Sequence, residues 1–222
     1  MIYKIGVVED NKSDINRIDR VLYSNSDVEF EIFSYGISDL KSEDIEETLL
    51  EMIINDINEE RIDALIIDYK IMTASLIIEG SSIFRHVVQK VPMFPVIILT
   101  EIVDKSQESE DIDATKVFRK EVFFDISHQA SKDLSRNLFK NMEHYKSNKE
   151  KIKKAIEKKQ NDAIKNGIDE EAVLELVELE EKMSQFEIDD RSNLDHFLNK
   201  DNLKDALKIL TEIDEITENE KS

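Results

Sequence analysis

Residues 62–68 read Ile62-Asp63-Ala64-Leu65-Ile66-Ile67-Asp68, an aliphatic run that ends on an acidic side chain. A continuous apolar run of this length is typical of a parallel strand that is buried on both faces of its sheet. Three more runs end on polar side chains in the same way: Tyr3–Val8 before Glu9 and Asp10, Pro95–Leu99 before Thr100, and Lys116–Arg119 before Lys120. Together these runs indicate an α/β fold with a parallel sheet.

The segments between these runs have the length and the apolar periodicity of helices. We predict strands at 3–8, 28–33, 62–67, 95–99 and 116–119, and helices at 11–23, 38–58, from 79 onward and at 103–114. Ligands of such sheets bind beyond the carboxyl ends of the strands, where the strand order reverses. We therefore expect the side chains at the ends of these runs to lie around one crevice: three carboxylates, one hydroxyl and one ammonium, from Glu9, Asp10, Asp68, Thr100 and Lys120.

Composition limits the partners and the compartment of the chain. The formal net charge is −20, which argues against nucleic acid and against anionic membrane surfaces as partners. The longest apolar runs are too short to cross a bilayer, and residues 1–5 already have a strand pattern instead of a targeting signal. We therefore expect a cytoplasmic protein without membrane contact.

The pattern changes after Lys120, where strand-like runs stop and helical periodicity continues. We predict two domains, residues 1–124 and an all-α module at 125–222, with a long helix as a partly coiled-coil arm. The apolar seam of this arm includes two lysines, Lys149 and Lys159. Such a seam fits either packing within the chain or a homodimer. Two more helices are expected, one after Gly167 and one from about Asn202.

The first 130 residues resemble the receiver domain of two-component response regulators. The resemblance is carried by four motifs in the right order at strand ends: Val8-Glu9-Asp10-Asn11, Ile66-Ile67-Asp68, Ile98-Leu99-Thr100 and Phe118-Arg119-Lys120. It implies a flavodoxin-like five-stranded parallel sheet of order 2-1-3-4-5, flanked by helices. It also implies a stand-alone response regulator that has no enzymatic activity beyond its own phosphorylation and dephosphorylation. The helical module after the receiver resembles no output domain that we recognise.

The resemblance also implies roles for individual residues. Asp68 is expected to accept a phosphoryl group from a histidine kinase or a phosphotransfer protein. Mg²⁺ is expected on Asp10, Asp68 and the backbone carbonyl of Lys70, with Glu9 contacting it through water. Thr100 and Lys120 are expected to bind the phosphoryl oxygens. Independently of the family, oxygen ligands suit Mg²⁺, and phosphoryl transfer requires positioning and charge neutralisation.

Three positions depart from the family pattern, namely Glu101 after the threonine, Glu121 after the lysine, and Val117 in place of an aromatic residue. They favour an alternative in which the domain is a pseudo-receiver, a scaffold that does not cycle phosphate. A further alternative makes the helical module an enzyme, or a phosphatase towards another regulator. In the main interpretation, this module acts through contacts with a protein effector, and phosphorylation changes self-association or partner binding.

Overall fold

The structure of the chain is a computed structural model, which describes residues 2–25, 28–36, 44–72, 77–101, 114–166 and 170–188. Its strands are β1 (Tyr3–Val8), β2 (Phe30–Ser34), β3 (Ala64–Asp68), β4 (Lys70–Met72), β5 (Ile77–Glu79), β6 (Val96–Thr100) and β7 (Val117–Arg119). Its helices are α1 (Lys12–Asn25), α2 (Ile45–Asn58), α3 (Gly80–Lys90), α4 (Lys120–Phe124), α5 (Gln129–Asn166) and α6 (Glu170–Met183).

Five strands form one parallel sheet in the order β2-β1-β3-β6-β7. The α/β class and the predicted parallel sheet are therefore confirmed, and each long apolar run is one of its strands. The first two strands in the chain are neighbours, and the third lies on the other side of the first. The strand order thus reverses at β1 and β3, which makes their carboxyl ends the expected place for a ligand.

Helices cover both faces of the sheet because its central strands are apolar on both sides. One face packs on α1 and α5, and its core includes Ile5, Ile66, Leu99, Leu22 and Leu138. Successive residues of a strand point to opposite faces. Leu65, Ile67 and Ile98 thus lie on the other face and are fully buried. Helix α3 contacts β3, β6 and α2.

The structure differs from the prediction in three places. Helix α2 begins at Ile45 and not at residue 38, because Asp44 has a non-helical backbone and its carboxylate accepts a hydrogen bond from the Glu47 N–H. Strands β4 and β5 form an antiparallel hairpin in a connection for which we predicted no strand. A 3₁₀ turn at Ala114–Lys116 precedes β7. The rest of the helix predicted at 103–114 lies outside the described residues.

The start of the long helix α5 packs on the sheet. Phe139 and Met142 belong to the core cluster, and the rings of Tyr145 and Phe94 lie 5.4 Å apart. The Lys146 ammonium lies 2.6 Å from Asp63, whose other oxygen accepts the Lys4 backbone N–H. The chain accordingly divides by compactness into residues 1–148 and 149–222.

In the second unit, two ion pairs join the second half of α5 to α6 and to the residues that follow α6. Lys159 pairs with Glu175, and Lys149 lies 3.2 Å from Glu187. As the residue number rises along α5, that of the partner falls, which is the pattern of antiparallel helices. Both seam lysines thus have partners within the chain. The helix predicted from Asn202 lies outside the described residues. No helix in the described ranges is long and apolar enough to cross a membrane.

Candidate functional site

The carboxyl ends of four parallel strands surround a cavity of about 400 Å³. Glu9 and Asp10 follow β1, Asp68 and Thr100 are the last residues of β3 and β6, and Lys120 follows β7. All five line the cavity, together with Lys70, which begins β4. The structure therefore brings together all six residues that the sequence singled out. The roles expected for them remain predictions.

Three carboxylates in this cavity are close enough to share one cation. One oxygen from each of Glu9, Asp10 and Asp68 lies within 4.8 Å of the other two. Glu9 and Asp68 are buried, whereas Asp10 is exposed. Oxygen-only ligands that leave positions open for water are the set that Mg²⁺ favours in proteins. The donor chemistry of the cluster therefore fits that ion.

The buried ammonium of Lys120 offsets part of the negative charge of the carboxylates in the cavity. The Nζ atom of Lys120 lies 2.7 Å from Glu9 Oε2, 3.0 Å from Asp68 Oδ1 and 3.1 Å from Asp14 Oδ2. Lys120 is only 7% exposed, so water screens these pairs weakly. Three carboxylates around one ammonium leave an excess of negative charge, which makes the cavity attractive to a further cation.

Burial and this charge excess shift the ionisation of the site. Burial raises the pKa of Asp68, against the opposing effects of the Lys120 ammonium and of a hydrogen bond donated by the Lys70 backbone N–H. Burial likewise raises the pKa of Glu9, although Lys120 lowers it. For Lys120, burial lowers the pKa, but the contacts with Glu9 and Asp68 outweigh burial and hold it above its ordinary value. The lysine is therefore cationic at neutral pH.

Asp14 is the site residue that the sequence interpretation missed. The Asn11 side chain accepts the Ser13 N–H at 2.9 Å, which caps α1 and places Asp14 in its first turn. Asp14 lies three residues after the capping Asn11, in the first turn of a helix that begins at the carboxyl edge of the sheet, and this position is the sequence signal that it lies near the site.

Gly80, the first residue of α3, lies against the backbone at the end of β3. A Cβ atom at Gly80 would lie 2.1 Å from the carbonyl oxygen of Asp68 and 2.8 Å from Ile67 Cγ2. The Gly80 N–H also donates to the Tyr69 carbonyl at 2.8 Å. Only glycine therefore allows α3 to begin this close to Asp68.

We expect Gly80→Ala to destabilise the protein, because the added methyl group forces the α3 backbone away from β3. The free energy of unfolding should fall by about 2 kcal/mol, as is usual when a packed position is overfilled. Urea denaturation measures this loss. An unchanged midpoint and slope would show that the two backbones are not in close contact.

A pH dependence follows from the raised pKa values of Glu9 and Asp68. A carboxyl group with a raised pKa holds its proton more tightly in the folded state, so its contribution to stability increases as the pH falls through that pKa. This gain in folding stability ends near the ordinary pKa values, which are 4.5 for Glu9 and 3.8 for Asp68. Without divalent cations, wild type should thus gain stability relative to Glu9→Gln as the pH falls from neutral towards 4.5, the ordinary pKa of a glutamate. Denaturant titrations at several pH values test this, and a pH-independent difference would contradict it.

The three positions that depart from the receiver pattern have different surroundings in the structure. Glu101 is exposed and lines the cavity, so it adds negative charge at the entrance. Glu121 is exposed on α4, and Val117 is buried in β7. Of the three, Glu101 alone lines the cavity.

Comparisons of the chain with models of protein families and with curated proteins found no match. A function for the site must therefore be argued from its geometry and chemistry.

Proposed function

We propose that this chain is a response regulator whose receiver domain accepts a phosphoryl group on Asp68, with Mg²⁺ as cofactor. The proposal includes a flavodoxin-like fold for the first domain, a cytoplasmic location, and a histidine kinase or phosphotransfer protein as donor. The proposal includes no enzymatic activity other than the chain's own phosphorylation and dephosphorylation. The helical module would carry the signal to a protein effector.

One observation carries the proposal. A buried aspartate at the end of the central strand β3 lies 3.0 Å from a buried ammonium, beside two further carboxylates that could share a cation with it. These groups come from three strand ends that are distant in the sequence. Phosphoryl transfer requires a nucleophile, in-line positioning and positive charge near the phosphoryl oxygens, and little else. In this proposal the Asp68 carboxylate would be the nucleophile, and the Lys120 ammonium would supply the positive charge.

In the proposed reaction, an oxygen of the Asp68 carboxylate attacks phosphorus opposite the leaving group. A P–O bond forms, the P–N bond to the donor imidazole breaks, and the electron pair leaves with that nitrogen. The Lys120 ammonium stabilises the negative charge on the phosphoryl oxygens. Thr100, buried at 2% exposure beside the cavity, would donate its hydroxyl hydrogen to one of these oxygens.

Asp10 and Asp68 would hold the Mg²⁺ together with the Lys70 carbonyl that the resemblance suggests, and Glu9 would contact the ion through water. When bound, the ion supplies positive charge next to the phosphoryl oxygens. The fit rests on the 4.8 Å spread of the three carboxylate oxygens.

Intact-mass spectrometry with a small donor tests the proposed function. Full-length protein incubated with acetyl phosphate and Mg²⁺ should gain one phosphoryl group, and the same incubation with EDTA should give none. The bond should survive acid and be lost in mild base, as expected for an acyl phosphate. The alternative is a scaffold that never cycles phosphate. It is favoured by the three carboxylates that already surround Lys120, and it predicts no mass change with acetyl phosphate or any donor kinase.

Mg²⁺ should stabilise the fold, because a cation relieves repulsion among carboxylates of like charge. Millimolar Mg²⁺ is expected to raise the melting temperature of wild type by several degrees. Asp10→Asn should remove most of that increase, since Asp10 is an exposed member of the cluster whose replacement leaves the core intact. Equal melting curves of wild type with and without Mg²⁺ would count against a metal site.

The proposed output is contact with protein. The net charge of −20 disfavours nucleic acid as a partner. Phosphorylation is expected to change self-association or effector binding, which light scattering of the phosphorylated and unphosphorylated protein can follow. Tight, sequence-specific DNA binding at physiological salt would contradict this output while leaving the receiver proposal standing.

A further inference from the structure

Asp14 is a buried carboxylate in the cavity that the proposed reaction leaves without a role. It is 8% exposed, and its two oxygens have different partners. Oδ2 lies 3.1 Å from the Lys120 ammonium, and Oδ1 accepts a hydrogen bond from Arg17 at 3.2 Å. The Arg17 guanidinium lies 3.9 Å from the ring centre of Phe124, at the other end of the short helix that Lys120 begins. Asp14 is therefore fixed from one side and contacts Lys120 on the other.

The Lys120 ammonium has three hydrogens and three carboxylate acceptors. If a phosphoryl group is attached to Asp68, the hydrogen directed at Asp68 can turn to a phosphoryl oxygen. The other two contacts, to Glu9 and Asp14, can persist. Glu9 is also a proposed neighbour of the metal, so its carboxylate is shared. Of the three acceptors of the Lys120 ammonium, Asp14 is the one to which the proposed reaction gives no other role.

We propose that Asp14 is a positioning residue that holds the Lys120 ammonium in place for phosphoryl transfer to Asp68. This inference rests on the proposed function. A lysine side chain has a flexible four-carbon stem, and an ammonium that must be ordered during the reaction stabilises the transition state less. Asp14, as a second fixed acceptor beside Glu9, orders the Lys120 ammonium before the reaction. The positive charge is then already located where negative charge develops in the transition state.

The test is the rate of phosphorylation of full-length protein by acetyl phosphate with saturating Mg²⁺. In this reaction the Asp68 oxygen forms the new P–O bond while the P–O bond to the acetyl group breaks, and acetate leaves with the electron pair. Asp14→Asn keeps the size of the side chain but removes its charge. Its maximal rate should fall by about tenfold or more, as for misplaced groups in active sites, while the donor concentration at half-maximal rate changes by less than about threefold.

Two further variants control this result. Asp14→Glu keeps the charge and should recover much of the maximal rate. Asp19→Asn removes an exposed carboxylate from the same helix and should match wild type, which controls for the change in net charge. A maximal rate for Asp14→Asn equal to that of wild type would overturn the positioning role alone. Failure of wild type to accept phosphate would overturn both this inference and the proposed function.

A second measurement does not depend on activity, and its wild-type result does not require Asp14→Asn to fold. An ammonium held by three buried carboxylates exchanges its hydrogens slowly, so Lys120 of wild type should give its own ¹⁵N–¹H correlation from Nζ. That signal, assigned by its loss in Lys120→Met, should weaken or shift in Asp14→Asn and stay unchanged in Asp19→Asn. The absence of a protected ammonium signal in wild type would overturn the proposal directly.

Discussion

Asp68→Asn is expected to abolish phosphorylation by acetyl phosphate, because an amide oxygen is too weak a nucleophile to displace the leaving group. Intact-mass spectrometry should find no phosphoryl group on this variant under conditions that label wild type. Asp63→Asn is the matched control. It removes the other buried carboxylate of the same stretch, which pairs with Lys146 at the opposite end of β3, and it should still be labelled. Labelling of Asp68→Asn at the wild-type level would place the acceptor elsewhere.

Lys120→Met is expected to have the second largest effect, because it removes the cation that compensates three carboxylates. Buried charges that lose their partner typically cost roughly 3 kcal/mol or more of folding stability. The urea midpoint without Mg²⁺ should thus fall clearly, and Mg²⁺ should restore part of the loss. Phosphorylation should slow by about 100-fold, since the stabilising charge next to the phosphoryl oxygens is absent.

The control for this variant is Lys12→Met, which removes an exposed lysine at the start of α1. It should leave both the urea midpoint and the phosphorylation rate close to those of wild type. If Lys120→Met behaves like Lys12→Met in both measurements, the buried ammonium contributes neither to the fold nor to the reaction.

The parallel sheet and the position of the site could be predicted because they depend on patterns within short stretches. A strand such as Ala64–Asp68 is apolar at every position before its last, since both of its faces are covered. The polar residue that follows each run must then lie at the carboxyl edge. Glu9, Asp68, Thr100 and Lys120 were located by this reasoning, and all of them line one cavity.

Features that depend on long-range packing could not be predicted in this way. The β4–β5 hairpin has three residues in each strand, too few for a period to show, and its register joins Met72 to Ile77. The sequence places Asp14 near Asp10, but its contact with Lys120, 106 residues away, depends on how α1 and α4 pack. The packing of Phe139 and Met142 on the sheet is likewise set by tertiary contacts, although both lie on the long helix expected as an arm.

The central claim is that Asp68 is the phosphoacceptor, and reduction with borohydride tests it most directly. An acyl phosphate at an aspartate is reduced to homoserine, which marks the residue permanently. Trypsin then releases residues 62–70, which contain both Asp63 and Asp68, so fragmentation of one peptide distinguishes them. After treatment with acetyl phosphate and Mg²⁺, we predict homoserine at position 68 and unmodified aspartate at position 63. A labelled protein whose homoserine lies at any other position, or a protein that gains no label, would contradict the claim.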